Sequence, residues 1–232
     1  MADIRRFYKV VSVEAGEGGW QVRLDGRPVR TPARGLLTVP SQRLAEAMAA
    51  EWAAQADAVK PETMPLTQLA STAIDRVAPH RERIVDDIAG YARTDLLCYR
   101  APSPRELAMR QHARWQPLLD WAAAELGAAL HATEGVIAVA QPEDSLSAIR
   151  IAVATVDDFR IAALHVFTTV SGSAVAALAL LHGRIDPAEA WEVSQLDENW
   201  QIEQWGEEES AAKRRRHLKV ELDSAARFVT LL

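Results

Sequence analysis

Trp20-Gln21-Val22-Arg23-Leu24-Asp25-Gly26-Arg27-Pro28-Val29-Arg30-Thr31 opens the fold to reading. Apolar and polar residues alternate strictly from Trp20 to Leu24, the period of a strand with one buried face. Asp25-Gly26 is a two-residue hairpin turn, and Arg27 to Thr31 returns along it. Working outward, Phe7-Tyr8-Lys9-Val10-Val11-Ser12-Val13 predicts a strand before it, joined through Gly16-Glu17-Gly18-Gly19, and Leu36-Leu37-Thr38-Val39 predicts a fourth. The glycine run lacks the following Lys-Ser/Thr of a phosphate loop and reads as a hairpin turn.

After Pro40 the period changes to that of helices. Ser41 is placed to cap a helix carrying Leu44, Met48, Glu51, Trp52 and Gln55 along one side. Trp52 is therefore expected to be structural, packed on Leu66 or the meander. Pro61, Met64 and Pro65 read as a linker, Leu66–Val77 and His80–Thr94 as helices, and Ser103-Pro104 as the start of a longer one. Pro117 inside that helix is expected to kink or end it near Gln116. Val136 to Val139 reads as short and β-like. Residues 144–182 are helical and almost wholly apolar, with a break near Ser171-Gly172-Ser173. Leu218, Leu222, Ala225, Val229 and Leu232 form a final core stripe. The fold class is α+β: a small N-terminal antiparallel β-rich domain over 1–60, ending in a helix, and a larger all-helical domain over 61–232.

Composition limits the chemistry. The net charge is −6, which disfavours a general nucleic-acid binder. A lone cysteine, Cys98, builds no disulfide framework and reads as a small buried hydrophobe. The apolar window 161–182 is interrupted by His165, Thr168, Thr169 and Ser171 to Ser173, so it reads as buried helix with no membrane insertion. The six histidines show no metal-ligand spacing, and no nucleophile motif is present. The expectation is no catalytic residue, no metal and no cofactor.

Leu196 to Gly206 is different in kind. Asp186 and Pro187 predict a helix start, and one helix through Trp205 would place Val193, Leu196 and Trp200 on its core side. Trp191, Ile202 and Trp205 would fall opposite, with Glu198 between them. Large apolar groups on both faces suit a helix that offers its second face to a partner, and the predicted partner-binding residues are Glu198, Trp191, Ile202 and Trp205.

Arg6-Phe7-Tyr8-Lys9, Leu24 to Pro32, Glu51-Trp52-Ala53-Ala54-Gln55, Met64-Pro65-Leu66-Thr67, Thr94 to Arg100, Gln111, Trp115, Leu119, Gly172-Ser173 and Leu196 to Gly206 together carry a resemblance. In order and spacing the chain resembles the ATP synthase F1 assembly chaperones that handle the alpha subunit. That resemblance implies a molecular chaperone that transiently binds the unassembled F1 alpha subunit, shields its apolar interface and releases it to the beta subunit. The family's mitochondrial members carry import leaders. The charged start of this chain reads as lacking one, which implies a bacterial member acting in the cytoplasm. Two other readings stay open: a small-molecule enzyme with a pocket between the two domains, and a permanent structural subunit of a complex.

Overall fold

A computed structural model describes residues 4–232. By their contacts the residues gather into two units. Of the described residues, the first comprises 4–81, Asp158–Ala163 and Ser224–Leu232; the second comprises Glu82–Asp157 and Leu164–Asp223.

The first unit is built on the predicted hairpin. After the short strand β1 (Ile4–Arg5), β2 (Val11–Gly16) pairs antiparallel with β3 (Gly19–Leu24), and β3 pairs with β4 (Arg27–Pro28). Strand pairing thus starts at Val11, while Phe7 to Val10 lie outside it. Asp25 and Gly26 both take positive φ, 48° and 78°, as a twist-matched two-residue hairpin turn demands. The Asp25 carboxylate accepts from the backbone N–H groups of Lys9 and Val10, which hold its pKa below the ordinary value. The predicted fourth strand is not a new line. β5 (Thr38–Val39) pairs with Trp20 and Gln21 of β3, continuing the line of β4 after an excursion over residues 30–37. Gly19 permits this: at φ 149°, a Cβ there would lie 2.3 Å from the Val39 carbonyl oxygen.

Ser41 caps α1 (Gln42–Ala53), accepting from the Leu44 N–H at 3.0 Å, and Leu44, Ala45 and Met48 are fully buried. After β6 (Ala58–Val59), which pairs with β1, α2 (Pro65–Thr72) begins at Pro65. Its exposed N–H groups are capped by Glu51 of α1, whose carboxylate accepts from Leu66 N, Thr67 N and Thr67 Oγ1 at 2.7–2.9 Å. That bond set ties α2 to α1 within the first unit. A π-helical turn (73–77) and a 3₁₀ turn (78–80) lead into α3 (Arg81–Gly90).

Trp52 is half-buried and meets Tyr8 edge-on, with ring centres 5.7 Å apart. The Tyr8 hydroxyl donates to the Trp52 carbonyl at 2.7 Å, and the Arg6 guanidinium lies 4.8 Å over the Tyr8 ring. We expect Trp52→Ala to cost about 2–3 kcal/mol, below the range for fully buried aromatics. Thermal denaturation checks this, and a wild-type melting temperature would refute it.

The second unit is mainly helical, with irregular chain over 127–132 and 135–142 and a two-residue parallel pairing of β7 (Tyr99–Arg100) with β8 (Thr133–Glu134). α4 (Arg105–Trp121) does not end near Gln116 but runs through Pro117; the buried stripe of Trp115, Leu118 and Leu119 holds it despite the lost donor. Val136 to Val139 is not a strand: Val136 and Ile137 are exposed and β8 pairs residues 133–134 instead. α5 (Glu143–Ala154), α6 (Asp158–Ser171) and α7 (Ala174–Leu181) follow, broken at Gly172 as expected. Among the described residues no helix is long and apolar enough to cross a membrane.

α7 is buried throughout Ala174–Leu180, and Asp95 secures its start. That carboxylate, wholly buried, accepts from Leu97 N at 3.0 Å and Val175 N at 3.1 Å, with the Ser173 side chain and Ala174 N also contributing. Burial nevertheless raises its pKa above the ordinary value. Cys98 beside it is buried, and desolvation followed by the Asp95 charge pushes its thiol up to about 12, as suits a packing residue.

Candidate functional site

The predicted single helix over 187–205 is two. α8 (Pro187–Ser194) is capped by Asp186, which accepts from Glu189 N at 2.8 Å, and it stops at Gln195 (φ −107°, ψ 17°). α9 (Leu196–Trp205) starts immediately afterwards and ends at Gly206. The bend changes the phase between Trp191 and the residues beyond it. Trp191 is only 7% exposed, with the Arg215 guanidinium and the Lys219 ammonium each 5.9 Å over its ring. It is a core residue with a cationic cover, so its indole offers no outer surface.

The other three predicted residues share the outer side of α9. Glu198 is exposed, Ile202 is half-buried, and Trp205 is 79% exposed. Steps of four and three residues bring them onto one stripe. A tryptophan this exposed is unusual, since the side chain normally buries most of its large apolar area.

The inner side of α8 and α9 explains why the stripe points outward. Val193 and Leu196 are buried, and the Trp115 indole N–H donates to the Val193 carbonyl at 3.0 Å. Gln111, itself buried, donates to Asp197 at 2.7 Å and accepts from Ala101 N at 2.7 Å. Burial raises the Asp197 pKa against the opposing pull of Gln111 and Arg100. The Arg100 guanidinium donates to the Leu97 carbonyl and lies 5.1 Å over the Trp115 ring.

Two arginines clamp the flanks. Arg110 donates to both Glu203 oxygens at 2.7 and 2.9 Å and lies 4.7 Å over the half-buried Trp200. Arg215, on α10 (Glu209–Leu231), donates to Gln195, Asn199 and Glu207. Neither clamp was predicted from the sequence, where the partners stand far apart and carry no spacing signal. Among the described residues no three His, Cys, Asp or Glu are grouped so as to hold a metal ion.

The family model described as ATP12 chaperone protein matches residues 5–123. Across nearly the whole chain, the crystal structure of Atp12 from Paracoccus denitrificans superposes with a TM-score of 0.94 at 42% identity, covering 98% of each chain.

The chain belongs to the ATP12 chaperone family.

A proposed chaperone from Agrobacterium tumefaciens is similarly close, with a TM-score of 0.93 and 41% identity over 98% of this chain and 85% of that one. The mitochondrial protein atp12 of Schizosaccharomyces pombe is 26% identical over 219 residues, covering 89% of this chain and 75% of the relative. ATP12 family members are assembly chaperones of the F1 ATP synthase, and the α+β fold described above is theirs.

Proposed function

We propose that this ATP12 family member binds the unassembled F1 alpha subunit through the outer face of α9, with Ile202 and Trp205 as apolar anchors and Glu198 as the acid beside them. The observation that carries the reading is Trp205, 79% exposed on a helix fixed by Arg110 and Arg215. An unassembled subunit exposes apolar interface that aggregates unless covered. A rigid tryptophan supplies contact area at low entropic cost, and an acid at the edge sets register and partner choice. Binding and release suffice for this role, so the protein works without turnover of its own, and a cytoplasmic setting suits a bacterial member. The high thiol pKa of Cys98 supports the same view of its most nucleophilic side-chain type.

Glu198→Lys tests the face. The side chain is exposed in the first turn of α9, so reversing its charge is expected to cost no more than about 1 kcal/mol of stability. Protection of the alpha subunit from aggregation should be lost, and Trp205→Ala should weaken binding by at least about thirtyfold, a hot-spot loss. Two folded variants that protect and bind like wild type would place the contact elsewhere.

A further inference from the structure

The excursion between β4 and β5 begins in a stretch that carries the family resemblance, which ends at Pro32, yet the face on α9 uses none of it. Several of its residues have structural roles. Val29 is buried; Thr31 Oγ1 donates to Asp75 Oδ1 at 2.7 Å and accepts from Gly35 N at 3.0 Å; Ala33 N donates to Asp75 Oδ2 at 2.8 Å. The turn closes on itself through Thr31 N to the Gly35 carbonyl (2.9 Å) and Arg34 N to the Thr31 carbonyl (2.8 Å). Asp75 sits in the π-helical turn over 73–77, an irregularity that often marks functional ground.

Arg30 and Arg34 are left over by these roles. Both are exposed, and Arg30 Nη1 donates to the Arg34 carbonyl at 2.8 Å, which sets the two arginines on one turn. Arg34 is held at φ 69°, a left-handed conformation that is strained for a residue other than glycine. Such strain persists only where the surroundings over-determine it, and it clusters at binding sites. Among the described residues neither guanidinium has a carboxylate within ion-pair distance. From Gly26 to Ala45 the chain carries Arg27, Arg30, Arg34 and Arg43 and no acid. The fold thus presents two exposed cations on a turn whose one pinning carboxylate, Asp75, is taken up by Thr31 and Ala33. Beside them Leu36 is 45% exposed, and Pro32 and Ala33 are exposed too. Arginine next to apolar surface fits a polypeptide better than a bare phosphate backbone, because interfaces between proteins are enriched in arginine within apolar surroundings.

We infer that this turn is a second contact for the client: Arg30 and Arg34 take carboxylates of an acidic segment on the bound polypeptide, while Leu36 packs alongside. The inference rests on the client reading given above. It is a steering contact, so it acts on the rate of encounter and is sensitive to salt.

The test uses the full chain and purified F1 alpha subunit, with association and dissociation followed at about 0.05 M and about 0.5 M salt. Arg30→Glu with Arg34→Glu should slow association about tenfold at the lower salt, with the difference vanishing at the higher. Arg30→Lys with Arg34→Lys should retain most of the wild-type rate. Should the double reversal fail to fold, Arg30→Gln with Arg34→Gly, whose glycine suits φ 69°, carries the same expectation in smaller measure. Wild-type kinetics in a folded charge-removed variant overturn the inference and leave the face on α9 standing. A wild-type chain that does not bind the subunit overturns the client reading itself, before any variant is made. If the substitutions change only binding to acidic phospholipid vesicles or self-association of the chain, the acidic client segment is refuted.

Discussion

Asp95→Ala is expected to destabilise the protein by more than about 3 kcal/mol, among the largest effects of any single substitution here. The carboxylate satisfies buried donors from two places in the chain, Leu97 N on its own turn and the Ser173–Val175 start of α7. Truncation leaves those N–H groups without water or partner, and each orphaned donor costs about 1–3 kcal/mol. For a chain of this length, about 2–4 °C of melting temperature goes with each kcal/mol, so the midpoint should fall by roughly 10 °C. Asp95→Asn should be milder yet clearly destabilised: the amide keeps one acceptor but turns an N–H₂ group toward a backbone donor. The pH dependence separates charge from geometry. The folded-state pKa of Asp95 is raised above its ordinary value of 3.8, so its contribution to stability is fully present below that value. The contribution is lost as pH rises through the raised folded value. The gap between wild type and Asp95→Asn should therefore be widest in acid and narrow toward neutral pH. Denaturant unfolding across that range checks this, and a gap that widens toward neutral pH would reverse the assignment.

Trp115→Ala should cost about 3–5 kcal/mol, the range for deleting a large, fully buried aromatic. Its ring underlies Arg100, and its indole N–H holds the Val193 carbonyl just before the bend at Gln195. Trp115→Phe keeps most of the packing but leaves that carbonyl unsatisfied, at about 1–3 kcal/mol. The contrast is informative, because a purely volumetric role would make the Phe variant nearly silent. Equilibrium unfolding of both variants measures it.

Local chemistry was legible in the sequence wherever one residue decides a backbone conformation. Asp25-Gly26 read as a turn because both positions need positive φ, Ser41 and Asp186 as caps because their side chains accept from the third residue on, and Ser171 to Ser173 as a break in an apolar run. The bend at Gln195 could not be read that way. It carries no Gly or Pro, so helical phase extended through it and set Trp191 on the wrong side. Val136 to Val139 has strand-forming side chains but no neighbouring edge, and a strand exists only by pairing. Pro117 removes one donor, yet the buried stripe around it outweighs the loss. Of the proposed contact face, Glu198, Ile202 and Trp205 could be grouped from spacing within one helix. Its support could not: Arg110 and Glu203 stand 93 residues apart, and Gln111 and Asp197 stand 86 apart. Only tertiary structure joins them.

The first unit draws on both ends of the chain. Ser41, which caps α1, also donates through its hydroxyl to the Leu231 carbonyl, and the fully buried Phe228 stacks on Phe159 with ring centres 6.4 Å apart. A ribosome delivers residues in sequence order, so the β-hairpin and α1 emerge early but wait for nearly two hundred further residues before Phe228 arrives. The sheet, made before any of the second unit, is thus part of the unit completed after it. A newly made molecule closes the core of this unit only once residues 224–232 have been delivered, whereas the arginine turn needs nothing beyond Asp75.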